Sequence, residues 1–206
     1  MDWSSNPLFA TAHDLGRARA QANPAARALP PLLFLTDPER TPRPWEQAER
    51  LPPGAAVVLR WFGRDDRLEV GRRLAEACRQ RGLGLLVGAD GGLAEGLGAD
   101  GLHLPQRDLE AAARWRRRHP AWLLTGAAHS PQALDTAAAV GLDAALVSPV
   151  FASASPSAGK PLGVETFRAW VANAGVAVYA LGGVSELTAP RLVGSGASGL
   201  AAVGGI

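Results

Sequence analysis

Between residues 31 and 203 the chain alternates short, continuously apolar runs with stretches that are apolar on one helical face. The runs are Leu32–Thr36, Ala55–Leu59, Leu83–Val87, Gly101–Leu104, Leu123–Ala127, Ala144–Ser148, Val176–Leu181 and Gly199–Val203. Each is bounded by glycine, proline or polar residues, the pattern of strands buried on both faces of a parallel sheet. Between them, periodicity predicts helices at Trp45–Leu51, Arg67–Arg81, Gly91–Leu97, Leu109–Arg118, Pro131–Val140, Val164–Ala172 and Ser185–Val193. Gly82 stands where a left-handed C-terminal residue belongs, and Asp108 and Ser130 stand at N-cap positions. Seven βα units and an eighth strand predict an α/β fold, a TIM-type (β/α)8 barrel, with an open doubly wound sheet as the alternative. Similar segments open several strands, at Gly98–Gly101, Gly141–Ala144 and Gly196–Gly199. Units packed alike favour the barrel.

The pattern breaks at both ends. Few residues follow the eighth run before Ile206, so the barrel is expected to lack its eighth C-terminal helix. Leu8–Ala22 reads as an extra helix, with Asn6 and Pro7 in capping positions. We therefore expect a helical extension over residues 1–30 and a single barrel domain over residues 31–206. Its apolar residues Leu8, Phe9, Ala12 and Leu15 fall on one helical face. That face is expected to cover the wall between strands eight and one, near Leu200, Ala202, Leu33 and Leu35, in its own subunit or a neighbour's.

The 206 residues suit one domain, and 47% are hydrophobic but only 6% aromatic, so the core is expected to pack small side chains. The 21 basic and 19 acidic residues leave a net charge of +2. The only dense basic run, Arg114 with Arg116, Arg117 and Arg118, ends a predicted helix. Cations there complement the helix dipole, so a solvated helix end is expected and no nucleic-acid partner. One cysteine, Cys78, excludes an intramolecular disulfide and is expected to be a buried thiol. The first residues lack the basic and apolar regions of a signal peptide, and no apolar run is long enough for a membrane span. The expectation is a cytoplasmic protein with no membrane partner.

In such a barrel the chemistry sits just after the strands, at their C-terminal ends. The positions there are Thr36 and Asp37, then Arg60, Trp61 and Phe62, then Gly88, Ala89 and Asp90. His103, Gln106 and Asp108 follow around strand four, and His129 follows strand five. Strand six leads into Ser148-Pro149-Val150-Phe151 and a loop carrying Ser153, Ser155, Ser157 and Lys160. Strands seven and eight run into Gly182-Gly183 and Gly204-Gly205. Glycine lets backbone N–H groups approach an anion, and barrels often bind phosphate after these two strands. Tight turns alone would also account for the pairs. His129 is the candidate acid-base group and His103 the structural one, since imidazole titrates near neutrality. His13 and His119 are expected to be solvated. The serine-rich loop suits a lid over an anion or an ordinary polar loop.

From Leu32 to Ile206 the sequence resembles the thiamine phosphate synthase and thiazole tautomerase family. Thr36-Asp37 resembles the family's opening motif. Gly98-Ala99-Asp100-Gly101-Leu102-His103-Leu104-Pro105-Gln106, His129-Ser130, Ser148-Pro149-Val150-Phe151 and Ala180-Leu181-Gly182-Gly183-Val184 resemble its later ones. The order and spacing make the set specific. The resemblance implies a thiazole phosphate ligand, with Arg60, His103, Gln106, Ser153, Ser155, Gly182, Gly183, Gly204 and Gly205 as binding candidates and His129 as the catalytic one. A homodimer is the assembly to test.

Departures from the family separate its activities. The synthases carry Gln-Leu-Arg-Glu-Lys after strand two, where this chain has Val58-Leu59-Arg60-Trp61-Phe62 and only Arg60 remains. They carry Asn-Asp-Arg after strand three, where this chain has Gly88-Ala89-Asp90. The lysine of their Thr-x-Thr-Lys loop falls on Pro156, and the serine before the strand-five histidine falls on Ala127. Asp108 alone resembles a magnesium ligand, and one carboxylate makes a poor site for a hard cation. The resemblance thus implies a metal-independent thiazole tautomerase-like isomerase without a cofactor. The alternatives are a diverged thiamine phosphate synthase, with Mg2+, and a non-catalytic relative.

Overall fold

Strands apolar on both faces need cover on both, and closing the sheet on itself supplies one of the two. The computed structural model describes residues 5–153 and 159–204. Its strands are β1 Leu32–Leu35, β2 Ala56–Leu59, β3 Gly84–Gly88, β4 Gly101–Leu104, β5 Leu123–Ala128, β6 Ala144–Val147, β7 Ala177–Ala180 and β8 Gly199–Ala202. They are all parallel and close in sequence order, with Leu33 of β1 opposite Ala201 of β8. Alternate residues fill the interior, among them Leu33, Leu35, Ala56, Val58, Leu86, Leu146 and Tyr179. The others, such as Leu32, Phe34, Val57, Leu85, Leu102 and Leu200, pack outward under the helices. Leu33 and Leu35 were expected on the outer wall and lie inside. A strand's side chains alternate, so a shift of one residue in phase exchanges the faces.

The helices are α1 Pro7–Ala22, α2 Pro44–Ala48, α3 Arg67–Arg81, α4 Gly91–Leu97, α5 Ala112–Arg118, α6 Pro131–Ala139 and α7 Gly163–Ala172. The Asn6 side chain caps α1 by accepting from Leu8 N at 2.9 Å and Phe9 N at 3.3 Å. The buried face of α1 (Leu8, Phe9, Ala12 and Leu15) packs on β1, β8 and the β7–β8 connection of the same chain. It covers the seam as expected. Arg27 ties the following segment down, donating to Trp122 O at 2.7 Å and to Ala121 O at 2.5 Å.

Two predicted helices differ. Residues Gln106–Ala111 form a 3-10 helix before α5. Asp108 lies inside this turn and pairs with Arg107 at 3.6 Å, so it caps nothing. In place of a helix over 185–193 there is one 3-10 turn, Ala189–Leu192. Here the Thr188 hydroxyl accepts from Ser185 N at 2.9 Å and donates to Gly183 O at 2.7 Å. Side-chain bonds of this kind compete with helical ones, and Pro190 removes a further donor.

In the basic run Arg114, Arg117 and Arg118 are exposed, as expected of a solvated helix end, and only Arg116 is partly buried. Arg116 reaches Asp143 at 2.6 Å and Trp122 O at 2.7 Å, and Arg118 pairs with Glu95. His119, expected to be solvated, is partly buried. Its Nε2 lies 2.7 Å from Glu95, and its ring stacks 3.8 Å from that of Trp122. His13 is exposed, and Cys78 is buried, which pushes its thiol up to about 12. No helix among the described residues is long and apolar enough to cross a membrane.

Candidate functional site

The C-terminal ends of β1, β2, β4 and β5 bring three nitrogen-bearing side chains into one mouth. Thr36 follows β1 fully buried, and its hydroxyl accepts from Arg60 N at 2.8 Å. Arg60 Nε donates to Thr36 O at 3.0 Å, and its Nη2 lies 3.8 Å from Asp37. Burial lowers the Arg60 pKa from its usual value, with the Asp37 charge working against this. A guanidinium stays charged even so.

His103 has the inward parity of β4. It is buried, with Nδ1 3.0 Å from the hydroxyl of buried Thr125 on β5. Burial pushes its pKa down to about 4, assisted by the charges of Arg60 and His129. His103 is therefore neutral near pH 7, a hydrogen-bonding surface at the floor of the mouth.

His129 follows β5 and is exposed. Its backbone N–H donates to Gln106 Oε1 at 2.8 Å, and its Nδ1 lies 3.0 Å from Ser148 O. A carbonyl only accepts, so this contact assigns the proton of the neutral ring to Nδ1 and leaves Nε2 as the base. Gln106 holds the backbone and Ser148 the ring, so both orient the imidazole.

Gly182 and Gly183 have positive φ of 89° and 66°. A Cβ on Gly182 would meet Pro149 Cα at 2.7 Å, and one on Gly183 would meet Ala152 O and Phe151 Cβ. The pair thus lets the loop after β6 lie against β7, where Val150 N donates to Leu181 O and Phe151 N to Gly182 O. Among the described residues, the N–H groups of Gly182, Gly183 and Gly204 have no acceptor in the chain. Ser153 is half-buried at the edge of this loop and Lys160 is exposed. Ser155, Pro156, Ser157 and Gly205 lie outside the described residues.

The acidic side chains Asp90 and Asp108 are each engaged by neighbouring residues. Asp90 accepts from Leu93 N at 2.9 Å, capping α4, and pairs with Arg67 at 2.8 Å. Asp108 faces Arg107, and no group of three metal-ligating side chains occurs among the described residues. The Phe62 ring stands over Gly88, and an open cleft of about 440 Å3 continues outward from there past Asp90 and Trp115. Thr125, the Ser148 carbonyl and the placement of Phe62 went unseen in the sequence. The inward parity of Thr125 on β5 was the one available signal.

Comparison with known proteins agrees with this barrel. The thiamine monophosphate synthase (TMP-TENI) family model matches residues 34–206. The thiamine-phosphate synthase of Chromobacterium violaceum is 35% identical over 162 residues, 74% of this chain and 76% of that protein. The thiamine biosynthesis bifunctional protein ThiM/ThiE of Symbiobacterium thermophilum is 33% identical over 140 residues, 68% of this chain but 29% of that one. The putative thiamine-phosphate synthase of Geobacter sulfurreducens is matched over 66% of its length. The chain thus spans less than two-thirds of these last two relatives. Thiamine phosphate pyrophosphorylase from Pyrococcus furiosus superposes with a TM-score of 0.70 at 22% identity, covering 84% of each chain, a likeness of fold. The match over residues 34–206 and the Chromobacterium violaceum relative at 35% identity show that the chain belongs to the thiamine monophosphate synthase (TMP-TENI) family.

Proposed function

We propose that the barrel mouth binds a thiazole phosphate in thiamine metabolism and moves a proton on its ring, as a thiazole tautomerase-like isomerase. The observation that carries this reading is His129, held by Gln106 and by Ser148 O with Nε2 free to accept a proton. Neutral His103 and the charged Arg60 supply polar contacts on the same floor. The unshared N–H groups of Gly182, Gly183 and Gly204 suit the phosphate. Proton transfer between ring positions needs no metal.

The names of the relatives weigh toward a second reading, thiamine-phosphate synthesis, in which the thiazole phosphate displaces pyrophosphate from a pyrimidine. Against it stand Phe62, Gly88 and Ala89, which bring no charge to a departing pyrophosphate. Asp90 and Asp108 are each paired with an arginine. Two assays on the purified full chain separate the readings: isomerisation of the dihydrothiazole phosphate, and coupling of thiazole phosphate with the pyrimidine pyrophosphate in magnesium. Isomerisation that disappears in His129→Asn supports the first. Magnesium-dependent coupling near 1 s⁻¹, the low end of ordinary enzymes, establishes the second instead.

A further inference from the structure

Phe62 is 59% exposed, yet its place is closely defined. The residues before it are fixed to the barrel. Arg60 is bonded to Thr36 through backbone and side chain, and Trp61 is buried with its indole N–H donating to Asp66 at 2.9 Å. The chain therefore presents the Phe62 ring without burying it.

The ring stands over Gly88, which has the inward parity of Leu86. A Cβ on Gly88 would lie 3.1 Å from Phe62 Cζ and 3.1 Å from Leu59 O. Any side chain at this position would contest the space that the ring occupies. The next residue, Ala89, has φ of 61°, a left-handed conformation that costs a non-glycine residue about 1–2 kcal/mol. Strained backbone of this sort collects at ligand sites. Ala89 N donates to His103 O at 2.9 Å, and Gly88 pairs in register with His103. Gly88 and Ala89 thus set the aromatic face beside the strand position of His103. The ring offers no hydrogen-bond donor, and the adjacent cation, Arg67, is bound to Asp90.

We propose that Phe62, seated over Gly88, is a specificity-determining residue: an aromatic shelf at the β2–β3 edge of the mouth that receives the planar, uncharged ring of the ligand. The inference rests on the reading that this mouth binds a thiazole phosphate, and it adds which wall holds the ring. A flat heteroaromatic ring gains by stacking there, whereas the phenyl ring itself offers a pyrophosphate no donor in place of its lost hydration.

Calorimetric titration of the full chain, as wild type, F62A and F62W, with thiazole phosphate and with a ring-free alkyl phosphate tests this. F62A is expected to raise the Kd for thiazole phosphate about 3- to 10-fold, the range of one aromatic pair, and F62W to preserve it. The alkyl phosphate affinity is expected to stay the same in all three. Thiazole phosphate bound equally by wild type and F62A removes the shelf and leaves the functional reading standing. So does a loss of the same factor for both ligands. Failure of the wild type to bind thiazole phosphate at all overturns the functional reading, and the shelf with it.

Discussion

His103 and His129 lie one strand apart and are held in different ways, His103 by burial and His129 by two oriented hydrogen bonds. The buried ring couples folding to pH. Its pKa falls from 6.5 to about 4 in the fold, so the folded state favours the neutral form. The resulting stability is fully present above pH 6.5 and is lost as pH falls toward 4, where the unfolded chain takes up a proton that the fold resists. The whole shift corresponds to about 3 kcal/mol. Melting temperature is expected to drop across that window, and His103→Asn to flatten this part of the profile. A mutant profile as steep as that of wild type would assign the acid sensitivity to other groups. For His129, replacement by asparagine is expected to lower turnover by about 10²-fold or more while leaving the melting temperature unchanged, since the ring is exposed. Equal activity would remove the proposed catalytic role.

Elements read well from the sequence wherever burial on both faces marked them. All eight strands lie within the predicted runs or a residue beyond them, and α3 and α4 match residue for residue. What failed was decided by local polar chemistry or by phase. Thr188 and Pro190 stopped a helix that the apolar spacing favoured, and the alternation of β1 was placed one residue out. The places of the candidate residues after the strands were legible, but not their hydrogen-bond partners. The Ser148 carbonyl that orients His129 has no side-chain signature, and the Phe62–Gly88 contact exists only once two loops meet. At the level of elements, α1 carries a direct test. Leu8 is fully buried, so Leu8→Ala is expected to cost about 2–5 kcal/mol in chemical denaturation, and removal of residues 1–28 to cause aggregation or a large fall in melting temperature. An unchanged melting temperature would reduce α1 to an appendage. Gly91 tests the α4–α5 contact. A Cβ there would overlap the Trp115 ring, so Gly91→Ala is expected to shift tryptophan fluorescence and lower stability.

At the scale of the molecule, the cover over the β8–β1 seam is laid by α1, far ahead of β8 in the sequence. Asn6 donates to Glu186 at 2.7 Å across 180 residues of sequence. Contacts so distant in sequence form slowly, because much of the chain must be ordered before they can be made. During synthesis α1 emerges long before β8, and its apolar face lacks most of its docking surface until β8 has left the ribosome. Leu8, Phe9 and Leu15 therefore pass through most of translation unsheltered, which is when collapsed intermediates are prone to associate. Ribosome-arrested chains exposing residues up to about 180 are expected to be cut by protease within α1, and chains exposing residue 204 to resist. For this barrel, holding the nascent amino-terminal segment is where a chaperone has most to contribute, and the dependence should ease when translation is faster.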